Sequence, residues 1–426
     1  MAKVAQEIWS KLIAHAYSRQ LEEPITAWIE ESRSHRRNAA ELLRIQSELA
    51  TQILYFQEKC REFESDEGDD SFDNGAELEE GIAYTRRGVQ IVKDIADGIA
   101  WRTLQYDRLA IKELARKPHI GALLPTVDTT IAAATSHSSR TGNIVVINDL
   151  TNFVRFGDFT AIGKEGITIA EVKGGKGSAR NGKAKRQRKA LDEKLDFLNT
   201  GTGIWADGSP ARLIHSTVQA KGHIPEVADL LRRSLQSGCA YARVSDALAV
   251  EVIRPLTLVK LGHSFPTFHN PFTQSPRPYT YHTLKRFELW SANIAPISIF
   301  PFEARDCAAI LTGTAWIFSY CNLGNIMRSL RRRGLTANLP PSESMKSIAG
   351  LRPGEYVYHE FDTPLTIARP EGMVLGMSLA SLARIFCEFL DEESFADEME
   401  EAVDYIQQDP ALLAGIGFAN EADLWD

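Results

Sequence analysis

The stretch "RFGDFTAIGKEGITIAEVKGGKGSARNGKAKRQRKAL", residues 155–191, decides how this chain reads. It sets an aspartate after a glycine, follows it with an apolar run ending in Glu-Val-Lys, and closes with a glycine-rich, basic loop. Short β-branched and aromatic runs bounded by turn residues predict strands, here over 143–148, 155–162 and 166–173. The last two form a hairpin across Gly-Lys-Glu-Gly. After the basic loop, Leu191, Leu195 and Leu198 recur at helical spacing, so an amphipathic helix is expected there. A further strand is expected over 211–219. Upstream, 84–116 has helical periodicity and Pro118 closes it. The expected order is helix, three strands, helix, strand, an α/β core.

Two chemistries compete for this stretch. "GSARNGKA", residues 177–184, fits G-x-x-x-x-G-K between a strand and a helix, the context of a nucleotide-binding loop. Ala184 then stands where such a loop needs a Ser or Thr hydroxyl on Mg²⁺, and the next strand has no acid to hold that metal, which argues against an NTP-dependent switch. The other chemistry is metal-dependent phosphodiester hydrolysis. Side chains alternate along a strand, so Glu171 and Lys173 share one face, with Ile169 and Ile167 behind them. Asp158, on the partner strand of the hairpin, comes close. Carboxylate oxygens are hard donors suited to Mg²⁺ or Mn²⁺. Such a metal lowers the pKa of bound water, and a neighbouring lysine orients that water or stabilises transition-state charge. A solvated Glu171–Lys173 pair on a strand edge is the plainer alternative. The apolar strand before the pair, the upstream aspartate, the basic loop and the following helix weigh against it. "DEK" at 192–194 has the same letters but falls in a helix, where i and i+2 do not share a face.

On these residues, 84–220 resembles the PD-(D/E)xK nuclease superfamily, in its RecB-like and resolvase-like branch. The resemblance implies a restriction-endonuclease-like αβββαβ core. It assigns metal binding to Asp158, Glu171 and the Val172 backbone carbonyl, and water activation to Lys173. Gln187, at the start of the next helix, matches that branch's extra glutamine. Gly157 stands where the motif's proline would be. The first-helix acid is open: Glu113 is the best candidate, with Asp97 and Asp107 competing. The implied activity is a Mg²⁺-dependent (or Mn²⁺-dependent) nuclease acting on nucleic acid, with DNA the expected substrate, in a microbial genome-defence or DNA-processing setting. The alternative is a nucleic-acid-binding or assembly module whose cutting needs a partner or is silent.

Net charge over the 426 residues is −8, but charge is segregated. Residues 62–80 carry ten acids and no base, whereas 173–189 carry eight bases and no acid. A local basic stripe contacts phosphates even on an acidic molecule. Lys176, Arg180, Lys183, Lys185 and Arg186 are therefore candidate phosphate contacts, and Arg155 is another. Asp149 in "NDLTN" reads as a turn residue with Asx hydrogen bonds before it reads as a metal ligand.

The chain length favours several domains. The expected division is a helical region over 1–83 with an acidic linker at 62–80, the core over 84–222, and an accessory α+β region over 223–426. The terminal regions are expected to make homo-oligomer contacts or to bind a partner protein. "RSLRRRGL" at 328–335 reads as the wet face of a helix before it reads as a nucleic-acid contact. The five cysteines are scattered and the histidines do not cluster, so no zinc pattern or disulfide framework is expected. Neither a transmembrane run nor a secretory signal is evident, and the expected location is the cytoplasm.

Overall fold

A computed structural model describes residues 21–66, 75–115, 127–154, 156–172, 189, 192, 193, 195–204, 210–212, 216–263, 271, 272, 278–282, 294–338, 365–370, 375–377 and 379–408. The chain forms two compact units, Met1–Gly203 with Ala295–Thr314, and Ile204–Ile294 with Ala315–Asp426. The architecture is mixed α/β with small antiparallel sheets.

The first unit opens with α1 (21–34) and α2 (Ala39–Asp66). The helical region expected here breaks at 35–38, where Asn38 caps α2, its Oδ1 accepting the Glu41 amide at 3.3 Å. α3 (Gly75–Thr103) returns against α2. The acidic stretch expected as a linker is therefore helical at both ends. Glu64 of α2 pairs with Arg86 of α3 at 3.1 Å. Residues 67–74 lie outside the described residues.

The helix expected over 84–116 is also two. Gln105 and Tyr106 adopt positive φ (54° and 60°), and Asp107 caps α4 (Arg108–Leu114) by accepting the Ala110 amide at 2.9 Å. α5 (Val127–Thr141) then directly precedes the sheet. Its buried stripe is Val127, Thr130, Ala134 and Ser138, too polar to have stood out as a hydrophobic period.

The three expected strands form, but shorter than expected: β1 (Ile144–Ile147), β2 (Phe159–Gly163) and β3 (Gly166–Ala170) make an antiparallel meander in which Asp158 directly precedes β2 and Glu171 directly follows β3, rather than lying on the strands. Gly163 pairs with Gly166 across the expected turn and Phe159 with Ala170 at the far end. β1 is an edge strand against α2. Gln46 of α2, 1 % exposed, serves as its missing neighbour. Its Nε2 donates to the Val145 carbonyl at 2.8 Å and its Oε1 accepts the Ile147 amide at 2.7 Å. The segment Ala295–Thr314 is held to this unit by polar contacts. Arg33 donates to the carbonyls of Phe300 and Phe302 at 2.6 Å each, Arg102 donates to the Ser298 carbonyl, and Asp94 accepts the Ser298 amide at 3.2 Å.

Of the strand expected over 211–219, only the start forms: Pro210–Arg212 is β5, paired with β4 (Thr202–Ile204) in a sheet separate from β1–β3, 213–215 lie outside the described residues, and 216–219 are not in a strand. In the second unit, β6 (Cys239–Arg243), β7 (Leu248–Ile253), β8 (Pro278–His282) and β9 (Trp316–Asn322) form one antiparallel sheet in the order β6-β7-β9-β8. β8 pairs antiparallel with β9, Tyr279 opposite Cys321 and Tyr281 opposite Ser319. Every residue of β7 is buried, Glu251 included, whose Oε2 accepts the Tyr320 hydroxyl at 2.8 Å. β10 (Thr336–Asn338), β11 (Leu365–Ala368) and β12 (Leu375–Met377) form a second sheet. The helices Ile224–Ser237, Leu323–Arg332, Leu379–Cys387 and Glu392–Gln408 supply the α part of the mixed α+β region expected over 223–426. Arg333 binds Glu393 and Asp397, and Arg332 binds Glu393 at 3.1 Å, so this part of the basic run is engaged within the unit.

Replacing Gln46 by Leu removes both partners of the β1 edge at once. Stranding two buried backbone groups costs about 2–4 kcal/mol. Hydrogen exchange of peptides containing Ile147 is expected to accelerate accordingly, and unchanged protection would show that β1 does not depend on Gln46.

Candidate functional site

Asp158 enters β2 through a turn built by Asn148. That side chain is fully buried, its Nδ2 donating to the Phe156 carbonyl at 2.6 Å and its Oδ1 accepting the Thr160 hydroxyl at 3.0 Å. Its amide donates to the Asp158 carbonyl at 3.0 Å. Gly157 has φ +75°, and a Cβ there would lie 2.5 Å from Ile169 Cγ2 and 2.9 Å from the Ala170 oxygen. Glycine is required on both counts, the left-handed backbone and the close approach of β3.

The hairpin register then sets Asp158 opposite the end of β3. Its amide donates to the Ala170 carbonyl at 2.8 Å, and its Oδ2 accepts the Val172 amide. Asp158 is half-buried, Glu171 is exposed, and Val172 is intermediate. One carboxylate thus grips the backbone immediately after the other. Lys173, Lys176, Arg180, Lys183, Lys185, Arg186, Gln187 and Arg155 lie outside the described residues. Glu113 is placed in α4 by its backbone, its side chain outside what is described. The two competing acids have structural work. Asp97, 1 % exposed, accepts the Asn152 amide at 2.8 Å and its Nδ2 at 2.7 Å, while Asp107 caps α4. Asp149 lies in a 3-10 turn, Asn148–Leu150, closed by Thr151, in keeping with the turn reading.

The described hard-donor set is chemically suited to Mg²⁺: two carboxylates and a backbone carbonyl within one hairpin end.

A second cluster went unseen in the sequence. His223, Asp391 and Glu392, all in the second unit, offer ligand atoms within 4.8 Å of one another. His223 Nε2 stands 3.5 Å from Asp391 Oδ1 and 3.8 Å from Glu392 Oε2. Backbone pairing brings them together: the His223 amide donates to the Phe389 carbonyl at 2.8 Å and the Asp391 amide to the Lys221 carbonyl at 2.9 Å. Burial works against a charged imidazole, yet the two carboxylates outweigh it and raise the His223 pKa to about 9. Burial likewise opposes ionisation of Asp391, but His223 and the amides of Ser394 and Glu393 hold its pKa below the ordinary value. No motif spacing announces this cluster, since its members are separated by most of the second unit's chain.

Compared with protein families, with curated proteins and with solved structures, the chain finds no match. Among the described residues, no helix is long and apolar enough to cross a membrane.

Gly157 and Gly142 separate backbone conformation from close packing. Both have positive φ, but a Cβ at Gly142 meets nothing within 4 Å. Gly142→Ala is expected to cost about 1–2 kcal/mol for the left-handed backbone alone. Gly157→Ala adds overpacking against β3, for a total of about 3–4 kcal/mol. Equal losses in urea denaturation would rule out the close approach of β3 as the reason for glycine.

Proposed function

We propose that this protein is a metal-dependent nuclease of the PD-(D/E)xK type, hydrolysing phosphodiester bonds in nucleic acid, with DNA the favoured substrate and genome defence the favoured setting. The observation that carries this reading is the hairpin end. Asp158 is bound to the backbone at Ala170 and Val172, on either side of Glu171. The Val172 contact fixes the Asp158 carboxylate at the end of β3, where the chain continues into Glu171.

In this reading Asp158, Glu171 and the Val172 carbonyl hold Mg²⁺ or Mn²⁺, with Glu113 the candidate further acid. The bound metal supplies Lewis acidity and a water of lowered pKa. Lys173 orients the attacking water and offsets charge growing on the phosphoryl oxygens. Gln187 positions the scissile strand. Arg155, Lys176, Arg180, Lys183, Lys185 and Arg186 neutralise backbone phosphates, a sequence-independent contribution that weakens with salt. The αβββαβ arrangement belongs to this proposal. The terminal regions are proposed to form a homo-oligomer or to dock a partner protein.

The test is a cleavage assay on linear and circular double-stranded DNA, single-stranded DNA and RNA, with Mg²⁺, Mn²⁺ or EDTA. Cutting that needs metal is expected to fall by at least about 100-fold in Glu171→Ala and in Lys173→Ala. Salt-sensitive binding is expected to survive in Lys173→Ala. Wild-type protein that binds nucleic acid without cutting would favour the binding-module alternative. Protein that neither binds nor cuts would overturn the proposal.

A further inference from the structure

We infer that His223, Asp391 and Glu392 form a zinc-class divalent metal site that ties the start of the helix Ile224–Ser237 to the start of the helix Glu392–Gln408. The distances argue for it. Zn–N and Zn–O bonds of about 2.1 Å set neighbouring tetrahedral ligands about 3.4 Å apart. The observed separations from His223 Nε2 are 3.5 and 3.8 Å, too long for good hydrogen bonds and close to that edge length. Nε2 itself is buried and stands nearly equidistant from the two carboxylates, closing on neither as a simple ion pair would.

The surrounding groups orient the carboxylates as ligands need. Asp391 Oδ2 accepts the Glu393 and Ser394 amides at 3.2 and 3.0 Å, which leaves Oδ1 facing the imidazole. The Ser245 hydroxyl donates to Glu392 Oε2 at 2.7 Å and is itself held by the Ala247 and Leu248 amides at 3.1 Å each. Such outer partners are what fix ligand rotamers at metal sites. Side-chain exposures of 13 % for His223, 25 % for Asp391 and 8 % for Glu392 describe a nearly closed site with one edge open to solvent, where a water completes four-fold coordination. An imidazole beside carboxylates selects zinc-class ions over Mg²⁺ and Ca²⁺, which prefer oxygen alone. The imidazole must shed its proton to bind, so uptake of the ion releases one proton.

The site is independent of the proposed nuclease centre and shares no residue with it. The test uses the full chain, stripped with EDTA and dialysed into millimolar Mg²⁺ to keep hard-oxygen sites filled. Zn²⁺ binding is read by competition with a chromophoric chelator, and thermal stability is followed with and without Zn²⁺. One Zn²⁺ per chain is expected, with a rise in Tm. Affinity is expected to drop roughly 100-fold in His223→Ala and in Glu392→Gln, which keeps an acceptor for Ser245, and to hold in Glu171→Ala. X-ray absorption on the Zn-loaded wild type reads the ligand set without any variant: one imidazole among oxygen donors is expected. No binding, binding unchanged in both variants, or a sulfur or all-oxygen set would overturn the inference.

Discussion

The side-chain amide of Gln46 is the contact on which the first unit's sheet depends. A three-stranded meander has two edges, and an edge strand presents unpaired amides and carbonyls. At β1 that edge is turned into the helices, away from water. Gln46 meets it with a donor and an acceptor spaced like those of a neighbouring strand. With β1 seated, its register with β2 sets where Asn148 lies. Asn148 then shapes the turn that delivers Asp158 to the end of β3. The candidate chemistry at the hairpin end thus traces back to a buried amide on a helix.

Buried polar groups organise both units. In the first, Arg33 and Arg102 bind the main-chain carbonyls of Ser298, Phe300 and Phe302, and Asp94 accepts the Ser298 amide, which pairs buried backbone groups of the stretch leading into the helix Ala304–Thr312. In the second, Arg384 binds Glu398 deep in the core, with Glu388 at 3.8 Å. Arg369 binds Asp404 at 2.7 Å, drawing the β11 end to the last helix. Removing one partner from the Arg384 pair would strand a charge, which ties the helix Leu379–Cys387 to the helix Glu392–Gln408 in one geometry. The His223 cluster sits at the start of that last helix, beside these fixed points.

The two proposed metal centres differ in kind. The hairpin end has oxygen donors, one of them exposed, and a basic segment next in sequence, as a substrate-facing site requires. The His223 cluster mixes nitrogen and oxygen donors, is largely closed, and is braced by hydrogen bonds on its outer side, as a structural ion requires.

What the sequence determined by itself is what local order controls. The β-branched and aromatic runs on either side of the Gly-Lys-Glu-Gly turn are enough to set the β2–β3 register, and that register brings Asp158 to the end of β3, because partners in a tight hairpin are neighbours in the chain. Helical periodicity likewise placed helix over 84–103, though not the caps at Asn38 and Asp107 that split the N-terminal helices. Only the tertiary structure decided the rest. Gln46 lies about a hundred residues from the strand it completes, and His223 is far in sequence from Asp391 and Glu392. Ala295–Thr314 leaves the unit that surrounds it in sequence and joins the other. A helical glutamine and a lone histidine carry no periodic signal of such roles, since their partners are chosen by packing between distant segments, and spacing along the chain records only what is close along it.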